Sequence, residues 1–364
     1  MTPKPQTGGH GSSSGNRPRG HAITMEPSDS SPSKRWSSWH DRLHRQLLSQ
    51  PTLLPDDARL LLAVSGGQDS MALLALLRDL KRLHNWELLV WHGDHGWHDN
   101  SAVIATELKQ WCEIQQQPIT LSRAGCGSAT KGSPTSEATA REWRYGELQH
   151  LAFEQKWDVV TGHTASDRSE TLLLNLARGC DLAGLSSLRS MRPLDQHQPD
   201  GPQLRRPLLG FSRQETLAIC QELALPIWLD PSNADKAFDR NRIRLEVLPV
   251  LEELHPGCSQ RIANFAERVS STWDTQQELT ELVLASLLNR EGDMNRRELN
   301  QLSPASRRQL LNCWLHQQSV SRLNSALLQH IIEQTGLQAA PGSIDLAGNL
   351  KLIWNKEWIV IETK

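Results

Sequence analysis

The sequence predicts an α/β fold in which a doubly wound parallel sheet is followed by a mainly helical C-terminal region that ends in a short β-hairpin. Two observations support this prediction. Short apolar runs alternate with helical patterns through the first half of the chain, as in parallel strands joined by crossover helices. From about Ser259 onward, apolar residues recur at three- and four-residue spacings, and strand-like composition returns only near residue 364.

The elements of the predicted sheet alternate without exception. The strands are Leu60–Val64, Leu88–Trp91, Ile119–Ser122 and Asp158–Thr161, and the helices are Met71–Leu83, Ser101–Gln116, Glu137–Gln155 and Asp167–Ala177. Polar loops follow three of the strands, with the sequences SGGQDS, HGDHG and GHTASD. Because the carboxyl ends of parallel strands lie at one edge of a sheet, we expect these three loops to meet.

The C-terminal region is predicted to be helical before its final strands. Its predicted helices are Gln260–Arg290, Ser303–His316 and Asn324–Thr335, and its strands are Ser343–Leu346, Asn349–Trp354 and Trp358–Glu362, with a turn at Asn355-Lys356. We therefore expect a first folded domain over residues 37–256 and a helical region over residues 257–364.

The first 36 residues differ in composition from the rest of the chain. Gly, Ser and Pro occupy 17 of these positions, so the segment has too little apolar surface to offset the entropy of ordering and is predicted to be a disordered tail. It carries a net charge of +3, which leaves −5 for residues 37–364. The tail is either dispensable, with Met25 as the true start, or a basic arm that contacts nucleic acid.

Composition excludes several classes of protein. No apolar run approaches the ~20 residues of a membrane-spanning helix. The six cysteines are widely separated and form no C-x-x-C pair, which argues against zinc-ribbon, ferredoxin-like and thioredoxin-like sites. Reduced thiols in a cytoplasmic protein are the expectation. A formal net charge of −2 argues against a uniformly basic surface but allows a local basic groove.

The loop Ser65–Ser70 has the composition of a phosphate-binding turn. Gly66 and Gly67 let the backbone approach a ligand closely, and the N-terminus of the following helix favours an anion. The loop lacks the Walker A lysine and the dinucleotide-binding G-x-G-x-x-G pattern. Its carboxylate, Asp69, suits a Mg²⁺ ion shared with phosphate oxygens. An ordinary turn with an aspartate at the start of the helix is the alternative.

Two helix starts near the same edge carry unusual charges. Arg141 and Arg144 share a face with Glu137 and oppose the helix dipole, an arrangement that a bound anion would stabilise. A solvated ion pair of Glu137 with Arg141 is the alternative. Asp167 and Glu170, which follow the fourth strand, either cap their helix or bind a cation such as an ammonium group or Mg²⁺.

A third charged segment runs from Asp230 to Arg244 and is rich in turn residues before it enters a helix. Arg240 and Arg244 share one face of that helix, with Arg242 between them. Arginines crowded at a helix start indicate phosphate contacts, and a solvated basic face is the alternative.

Together these motifs resemble the N-type ATP pyrophosphatases, or PP-loop enzymes, whose mark is SGGxDS. The order of the motifs is similar to that of the tRNA(Ile)-lysidine synthetases: SGGQDS, HGDHG, E-x-x-x-R-x-x-R-Y, H-T-x-x-D-x-x-E-T, R-P-L-L and D-P-S-N…R-N-R-I-R. The resemblance covers about Leu60 to Pro256 and is loose beyond Ser259. Relatives commonly have H-G-L-R where this chain has HGWH at residues 95–98, which puts an obligate arginine there in doubt.

The resemblance implies a two-step reaction on the wobble cytidine of an isoleucine tRNA with a CAU anticodon. ATP first adenylates the ring carbonyl at position two and releases pyrophosphate. The ε-amine of free L-lysine then displaces AMP, and the resulting lysidine changes codon reading from AUG to AUA. The implied substrates and cofactors are ATP, Mg²⁺, L-lysine and tRNA(Ile), with no membrane partner. The sequence leaves the oligomeric state open, although relatives are often homodimers.

The resemblance also implies roles for individual residues. The ATP-binding residues would be Ser65, Gly66, Gly67, Gln68, Asp69, Ser70 and Arg141, with Asp69 on Mg²⁺ and Arg141 neutralising charge on the α-phosphate. Asp167 and Glu170 would grip the lysine ammonium and help to remove its proton, and His163 would orient lysine or the base. The contacts to tRNA or ATP would be Arg205, Arg206, Arg240, Asn241 and Arg244, and the helical region would bind tRNA.

Two other functions compete with this one. A tRNA thiolase of the same fold would need paired cysteines or an Fe–S cluster, against which the absence of C-x-x-C counts. A non-catalytic adenine-nucleotide-binding protein would not need Arg141, Asp167 and Glu170 around one loop edge.

Overall fold

The computed structural model describes residues 36–96, 100–125, 137–186, 188–228, 236, 238–320 and 323–363. The tail predicted over residues 1–36 lies outside this range except for Trp36, as do Trp97, His98 and the segment 229–235. Residue contacts divide the chain into two compact units, of which the first ends at Glu267 and the second begins at Arg268.

The first unit contains every strand and helix that the alternating pattern predicts there, within a few residues at each end. Its strands are β1 (Arg59–Ala63), β2 (Glu87–Asp94), β3 (Ile119–Arg123), β4 (Asp158–Thr161), β5 (Met191–Pro193) and β6 (Gln203–Arg205). Its helices are α1 (Ser38–Ser49), α2 (Gln68–His84), α3 (Ser101–Ile114), α4 (Glu137–Gln155), α5 (Ala165–Ala177), α6 (Leu182–Leu185), α7 (Arg213–Glu222), α8 (Asp239–Arg242) and α9 (Leu248–Leu254). A 3₁₀ turn spans Pro207–Gly210, a π turn spans Ile243–Val247, and the long helix α10 (Cys258–Leu287) contains the junction of the two units.

The six strands form one sheet in the order β3-β2-β1-β4-β6-β5. All neighbours are parallel except β5, which pairs antiparallel with β6 and adds an edge strand that the sequence did not predict. The chain builds outward from β1 to β3 and then returns to the other side of β1 to form β4. The crevice between β1 and β4 is therefore the topological switch point, where ligands bind in such sheets.

Both faces of this sheet are covered, which confirms the doubly wound prediction. Leu60 and Leu62 of β1 pack in the core cluster that contains most of α2, whereas Leu61 between them packs in the cluster with Leu148 of α4. Successive side chains of a strand point to opposite faces, so an unbroken apolar strand needs helices on both sides.

Helix α2 is the most deeply buried helix of the first unit as described. Its residues from Met71 to Leu77 are completely inaccessible to solvent, because the sheet covers one side of the helix and helices α1 and α7 also pack against it. The sequence analysis assigned no element to the region between Ala177 and Asp230, and this is where α6, β5, β6 and α7 lie. Helix α7 proves important for the site.

The second unit combines helices with a small antiparallel sheet. Its further elements are β7 (Met294–Asn295), α11 (Arg296–Gln301), α12 (Pro304–Gln317), α13 (Ser325–Gln334), β8 (Gly342–Asp345), β9 (Leu350–Trp354) and β10 (Trp358–Thr363). The predicted hairpin is β9 and β10, closed by a bond from the Asn355 amide to the Trp358 carbonyl, and β8 and β7 extend it to four strands. No helix among the described residues is both long and apolar enough to cross a membrane.

Candidate active site

One pocket of about 340 Å³ lies at the carboxyl edge of the large sheet, over the switch point. The loops after β1, β2 and β4 all reach it, as their placement in a parallel sheet predicts. The predicted site residues that line it are Ser65, Gly67, Asp69, Ser70, Arg141, His163, Asp167, Arg240, Asn241 and Arg244. Gly66, Gln68, Glu170, Arg205 and Arg206 do not line it.

Two glycines allow the backbone conformation and the packing of the phosphate loop: Gly66 within the loop and Gly162 after β4. Gly66 adopts a φ of +88°, and a Cβ there would meet the ring of Trp228 at 3.3 Å. The Trp228 amide donates to the Gly66 carbonyl at 3.0 Å, so this tryptophan holds the turn from outside. Gly162, after β4, lies so close to α2 that a Cβ would stand 2.8 Å from the backbone oxygen of Asp69. The two loops can meet only because Gly162 has no side chain.

Helix α7 holds the side chains of the loop. The Thr216 hydroxyl donates to Asp69 Oδ1, and Arg213 Nη1 lies 3.5 Å from Asp69 Oδ2. Gln68 Nε2 donates to the Arg213 carbonyl at 2.6 Å, which turns the Gln68 side chain away from the pocket toward α7. Gln68 therefore orders the loop, and Arg213, which lines the pocket, is a basic residue that the sequence analysis did not single out.

Asp69 is the carboxylate that the phosphate loop offers to a cation. Burial raises its pKa, although the charge of Arg213 and the hydrogen bond from Thr216 act in the opposite direction. Among the described residues no group of three or more His, Cys, Asp and Glu side chains could hold a metal ion. At sites where nucleotides bind, Mg²⁺ is usually held by one or two carboxylates together with phosphate oxygens, and the Mg²⁺ role of Asp69 stays a prediction.

Asp167 and Glu170 stand where the sequence places them, in the first turns of α5 at the pocket edge. Asp167 Oδ2 accepts from the amide and the hydroxyl of Thr164, at 2.7 and 2.9 Å, and so caps the helix. Burial alone would raise the pKa of Asp167, but the charge of Arg240 and the Thr164 hydrogen bonds outweigh it and lower the pKa. Asp167 thus caps its helix and also pairs with Arg240, and its binding of an ammonium group or Mg²⁺ stays a prediction.

Arg240 forms ion pairs with both Asp167 and Glu170. Its Nη2 donates to Asp167 Oδ1 and its Nε to Glu170 Oε2, each at 2.7 Å. The sequence analysis predicted that Arg240 contacts ATP or tRNA. In the structure Arg240 lines the pocket and also has two carboxylate partners, and the contact to ATP or tRNA stays a prediction. The charge of Arg244 also acts on both carboxylates, so this cluster contains two carboxylates and two guanidinium groups.

One carboxylate oxygen of Glu170 has no hydrogen-bond partner among the described residues. Its side chain is 1% exposed and its Oε1 atom is buried without a hydrogen-bond partner in the described structure. Burial, which outweighs the opposing charge of Arg240, raises the pKa of Glu170. A buried carboxylate oxygen without a donor is costly, and an ammonium group is the donor that would satisfy it.

His163 is a neutral side chain between the carboxylate pair and the arginines of the pocket. Its Nδ1 lies 2.8 Å from the Thr161 hydroxyl oxygen. Burial lowers its pKa to about 3, and the charges of Arg206, Arg240 and Arg141 act in the same direction, against the charge of Asp167. His163 therefore offers a hydrogen-bonding ring and no charge.

Arg205 and Arg206 are not exposed to a macromolecular partner. Arg205 is buried, and its Nε and Nη2 each lie 2.7 Å from Asp158 Oδ2, while its Nη1 bonds the carbonyls of Thr52 and Leu53. Arg206 is 2% exposed and donates to the Arg189 carbonyl. The expectation of direct tRNA contacts from this pair disagrees with their burial: Arg205 joins β4, β6 and the segment before β1.

Replacing Arg205 with methionine should lower the free energy of unfolding by about 3–5 kcal/mol, because the change leaves the Asp158 carboxylate without its partner. Urea unfolding followed by circular dichroism measures this. Arg45→Met, which removes an exposed ion pair with Asp41 on α1, is the control and should have little effect. Unchanged stability together with weaker tRNA binding would restore the tRNA-contact interpretation.

The cysteines of the described chain do not resemble a redox or cluster site. Cys112, Cys180, Cys220, Cys258 and Cys313 are all free thiols. Burial raises the pKa of Cys112 to about 11 and that of Cys220 to about 12. These two thiols therefore stay protonated at neutral pH, unlike nucleophilic cysteines.

The signal for some site residues was absent from the sequence. Arg213 and Thr216 belong to a helix that carries no phosphate-binding motif, and only the folded chain shows that α7 reaches Asp69. Trp228 is recognisable only by its contact with Gly66. By contrast, the side chain of Glu137 and the HGWH tryptophan Trp97 lie outside the described residues.

Comparison with known proteins agrees with this geometry. Residues 40–251 match the PP-loop domain family. The chain is 60% identical over 319 residues to the tRNA(Ile)-lysidine synthase of Parasynechococcus marenigrum, covering 88% of this chain and 93% of that protein. A tRNA(Ile)-lysidine synthase of Prochlorococcus marinus is 45% identical over 334 residues, covering 90% of this chain and 96% of that protein.

A solved structure supports the fold alone. The U34-tRNA thiolase NcsA from Methanococcus maripaludis, determined with its [4Fe-4S] cluster, superposes with a TM-score of 0.54 at 19% identity, over 64% of this chain and 78% of that one. The specific relationship rests on the sequence relatives, which this chain matches over nearly their full length. The match to the PP-loop domain and these relatives together show that the chain belongs to the tRNA(Ile)-lysidine synthase family.

Proposed function

We propose that this protein forms lysidine in tRNA(Ile) from ATP and L-lysine. The observation that carries the proposal is that one pocket is lined both by a phosphate-binding loop and by the carboxylate Asp167, which shares its partner Arg240 with the buried Glu170. The first suits a nucleoside triphosphate and the second suits an ammonium group. The cytidine and the amine must meet at such a site for the reaction to occur.

The first step uses the phosphate-loop side of the pocket. The backbone of Ser65, Gly67 and Ser70 would bind the pyrophosphate portion of ATP. Arg141 and Arg213, which both line the pocket, would offset the negative charge that develops when the cytidine oxygen attacks the α-phosphorus. The pyrophosphate then leaves, and the α-phosphate remains on the cytidine as an adenylate.

Mg²⁺ is part of this proposal through Asp69. The ion would be held by the Asp69 carboxylate together with phosphate oxygens, and it would supply charge neutralisation on the leaving pyrophosphate. Release of Asp69 from its 3.5 Å ion pair with Arg213 would free that guanidinium for the phosphates.

The second step uses the carboxylate side. The ammonium of lysine would bind at Asp167 and Glu170, and the unpartnered oxygen Glu170 Oε1 would accept a hydrogen bond from it. Only the neutral amine is nucleophilic, so a carboxylate must take its proton before the amine displaces AMP. Neutral His163 would orient the amine or the base by hydrogen bonding.

The thiolase alternative has little support in the described residues, whose cysteines and carboxylates form no metal-binding group. The remaining parts of the proposal come from the family resemblance: a cytoplasmic homodimer in which residues 257–364 contribute to tRNA binding.

Incubation of the purified protein with ATP, Mg²⁺, radiolabelled lysine and a tRNA(Ile) transcript should give acid-precipitable label. Omission of ATP or chelation of Mg²⁺ should prevent labelling. The tRNA(Met) transcript, which has the same CAU anticodon, is the control substrate and should remain unlabelled. Absence of label on tRNA(Ile) under all conditions would refute the proposed function.

A further inference from the structure

Tyr145 is a pocket residue to which neither step has assigned a role. It is the only tyrosine among 364 residues and follows directly on Arg144 in the motif on α4. Its side chain lines the pocket next to Arg141, Arg144 and Leu148. Its hydroxyl oxygen accepts a hydrogen bond from the Arg206 guanidinium, which leaves the hydroxyl proton to be donated to a ligand.

Three arginines from three different elements surround this ring. The Arg141 Cζ atom, from α4, lies 5.2 Å from the ring centroid, and the Arg192 Cζ atom, from β5, lies 5.8 Å from it. Arg206, just after β6, is buried, and its Nε has no hydrogen-bond partner in the described structure. Arg141, Arg192 and Arg206 thus form an electropositive cluster around the phenol of Tyr145.

The three arginines of this cluster form no ion pair with a described carboxylate. Arg192 donates to the Pro193 carbonyl, and Arg206 donates to the Arg189 carbonyl and to the Tyr145 hydroxyl. Arg206 is the buried member of the cluster, whereas Arg192 is half-buried and Arg141 is exposed, and a buried cation is normally paired. An anion in the pocket would supply the missing charge.

The cluster changes the chemistry of the phenol. Burial alone would raise the pKa of Tyr145, but the charges of Arg141, Arg206 and Arg192 outweigh burial and lower the pKa. A more acidic hydroxyl forms a stronger hydrogen bond to an anionic oxygen. Donors of this kind stabilise charge as it develops in a transition state.

We propose that the Tyr145 hydroxyl donates a hydrogen bond to an oxygen of the phosphoryl group transferred in the pocket, and that Arg192 and Arg206 are positioning residues that act through Tyr145. The inference rests on the proposed function and adds a donor to its first step. It separates Tyr145 from the lysine side of the pocket, where the carboxylates act.

Tyr145→Phe should slow single-turnover adenylation of tRNA(Ile) about 10²-fold, the usual effect of losing one such donor. The ring keeps its contacts with Arg141 and Arg192 but loses the hydrogen bond between the hydroxyl and the buried Arg206, so a modest fall in the thermal midpoint is expected. The KM for lysine should stay at the wild-type value. Wild-type adenylation rates in the variant, or a loss confined to lysine transfer, would overturn the inference. If the wild-type protein itself adenylates no tRNA, the proposed function fails instead.

A spectroscopic test uses the wild-type protein. Labelling tyrosine with ¹³C at the ring carbon that bears the hydroxyl should give one NMR resonance, and a non-hydrolysable ATP analogue should shift it. Arg192→Gln should raise the pKa read from this resonance, because a cation is removed, whereas the exposed Arg45→Gln on α1 should leave it unchanged. A resonance that responds neither to the analogue nor to Arg192→Gln would overturn the inference.

Discussion

Asp69→Asn is expected to abolish both adenylation of tRNA(Ile) and the lysine transfer that depends on it, with a loss of at least about 10³-fold. The amide can still accept from Thr216, so the loop keeps its shape. The variant loses the negative charge that would attract Mg²⁺ and that holds Arg213 at 3.5 Å. Since lysine transfer consumes the adenylate, the second step has no substrate.

Pyrophosphate release in a single turnover measures the first step of this prediction directly. Asp79→Asn is the matched control, because Asp79 lies at the other end of the same helix, outside the pocket lining. The control should react as the wild type does. An Asp69→Asn variant that keeps more than a tenth of wild-type adenylation would show that this carboxylate is not essential.

Glu170→Gln is expected to separate the two steps. Formation of the adenylated tRNA should stay within about threefold of wild type, since Glu170 lies outside the phosphate-loop side of the pocket. Lysine transfer should fall about 10²-fold, which corresponds to roughly 2.7 kcal/mol of lost interaction with a charged amine. The adenylate can be accumulated without lysine and then chased with lysine, so that each step is timed alone.

The pH dependence adds a second readout to this variant. Because the pKa of Glu170 is raised, the carboxylate becomes protonated at a higher pH than an ordinary glutamate, and lysine transfer should fall on the acidic side earlier than adenylation does. That acidic limb should be absent in Glu170→Gln. Glu154→Gln, an exposed change on α4, is the control. Equal loss of both steps in Glu170→Gln would contradict the assignment.

Much of the fold was predictable because local signals and topology agree. Apolar runs such as that of β1 mark buried strands, and the convergence of the loops after β1, β2 and β4 follows from the parallel arrangement. The positions of Asp69, His163 and Asp167 at one pocket needed no knowledge of side-chain contacts.

The partners of charged residues were not predictable in the same way. The arginine cluster near α8 indicated phosphate contacts, yet Arg240 pairs with carboxylates 70 and 73 residues earlier in the chain. Arg205 and Arg206 looked like one basic patch, but their side chains go to separate partners, Asp158 and the Arg189 carbonyl. Such pairings depend on tertiary packing that no short pattern encodes.

Net charge also proved a poor guide to the partner. Residues 37–364 carry −5, yet Arg141, Arg144, Arg213, Arg240 and Arg244 all line one pocket. Attraction of a polyanion to this protein is expected to be local, with salt dependence set by a few arginine contacts.

The link between Thr216 and Asp69 spans 147 residues of sequence, and this separation has a consequence for how the protein acquires activity. During synthesis, the phosphate loop leaves the ribosome long before α7 does. Contacts between distant segments form late because the intervening chain must first be closed into a loop. The scaffold of β1 and α2 can therefore assemble before its nucleotide site is competent, and a nascent chain that ends before α7 would fold around a site that cannot yet work.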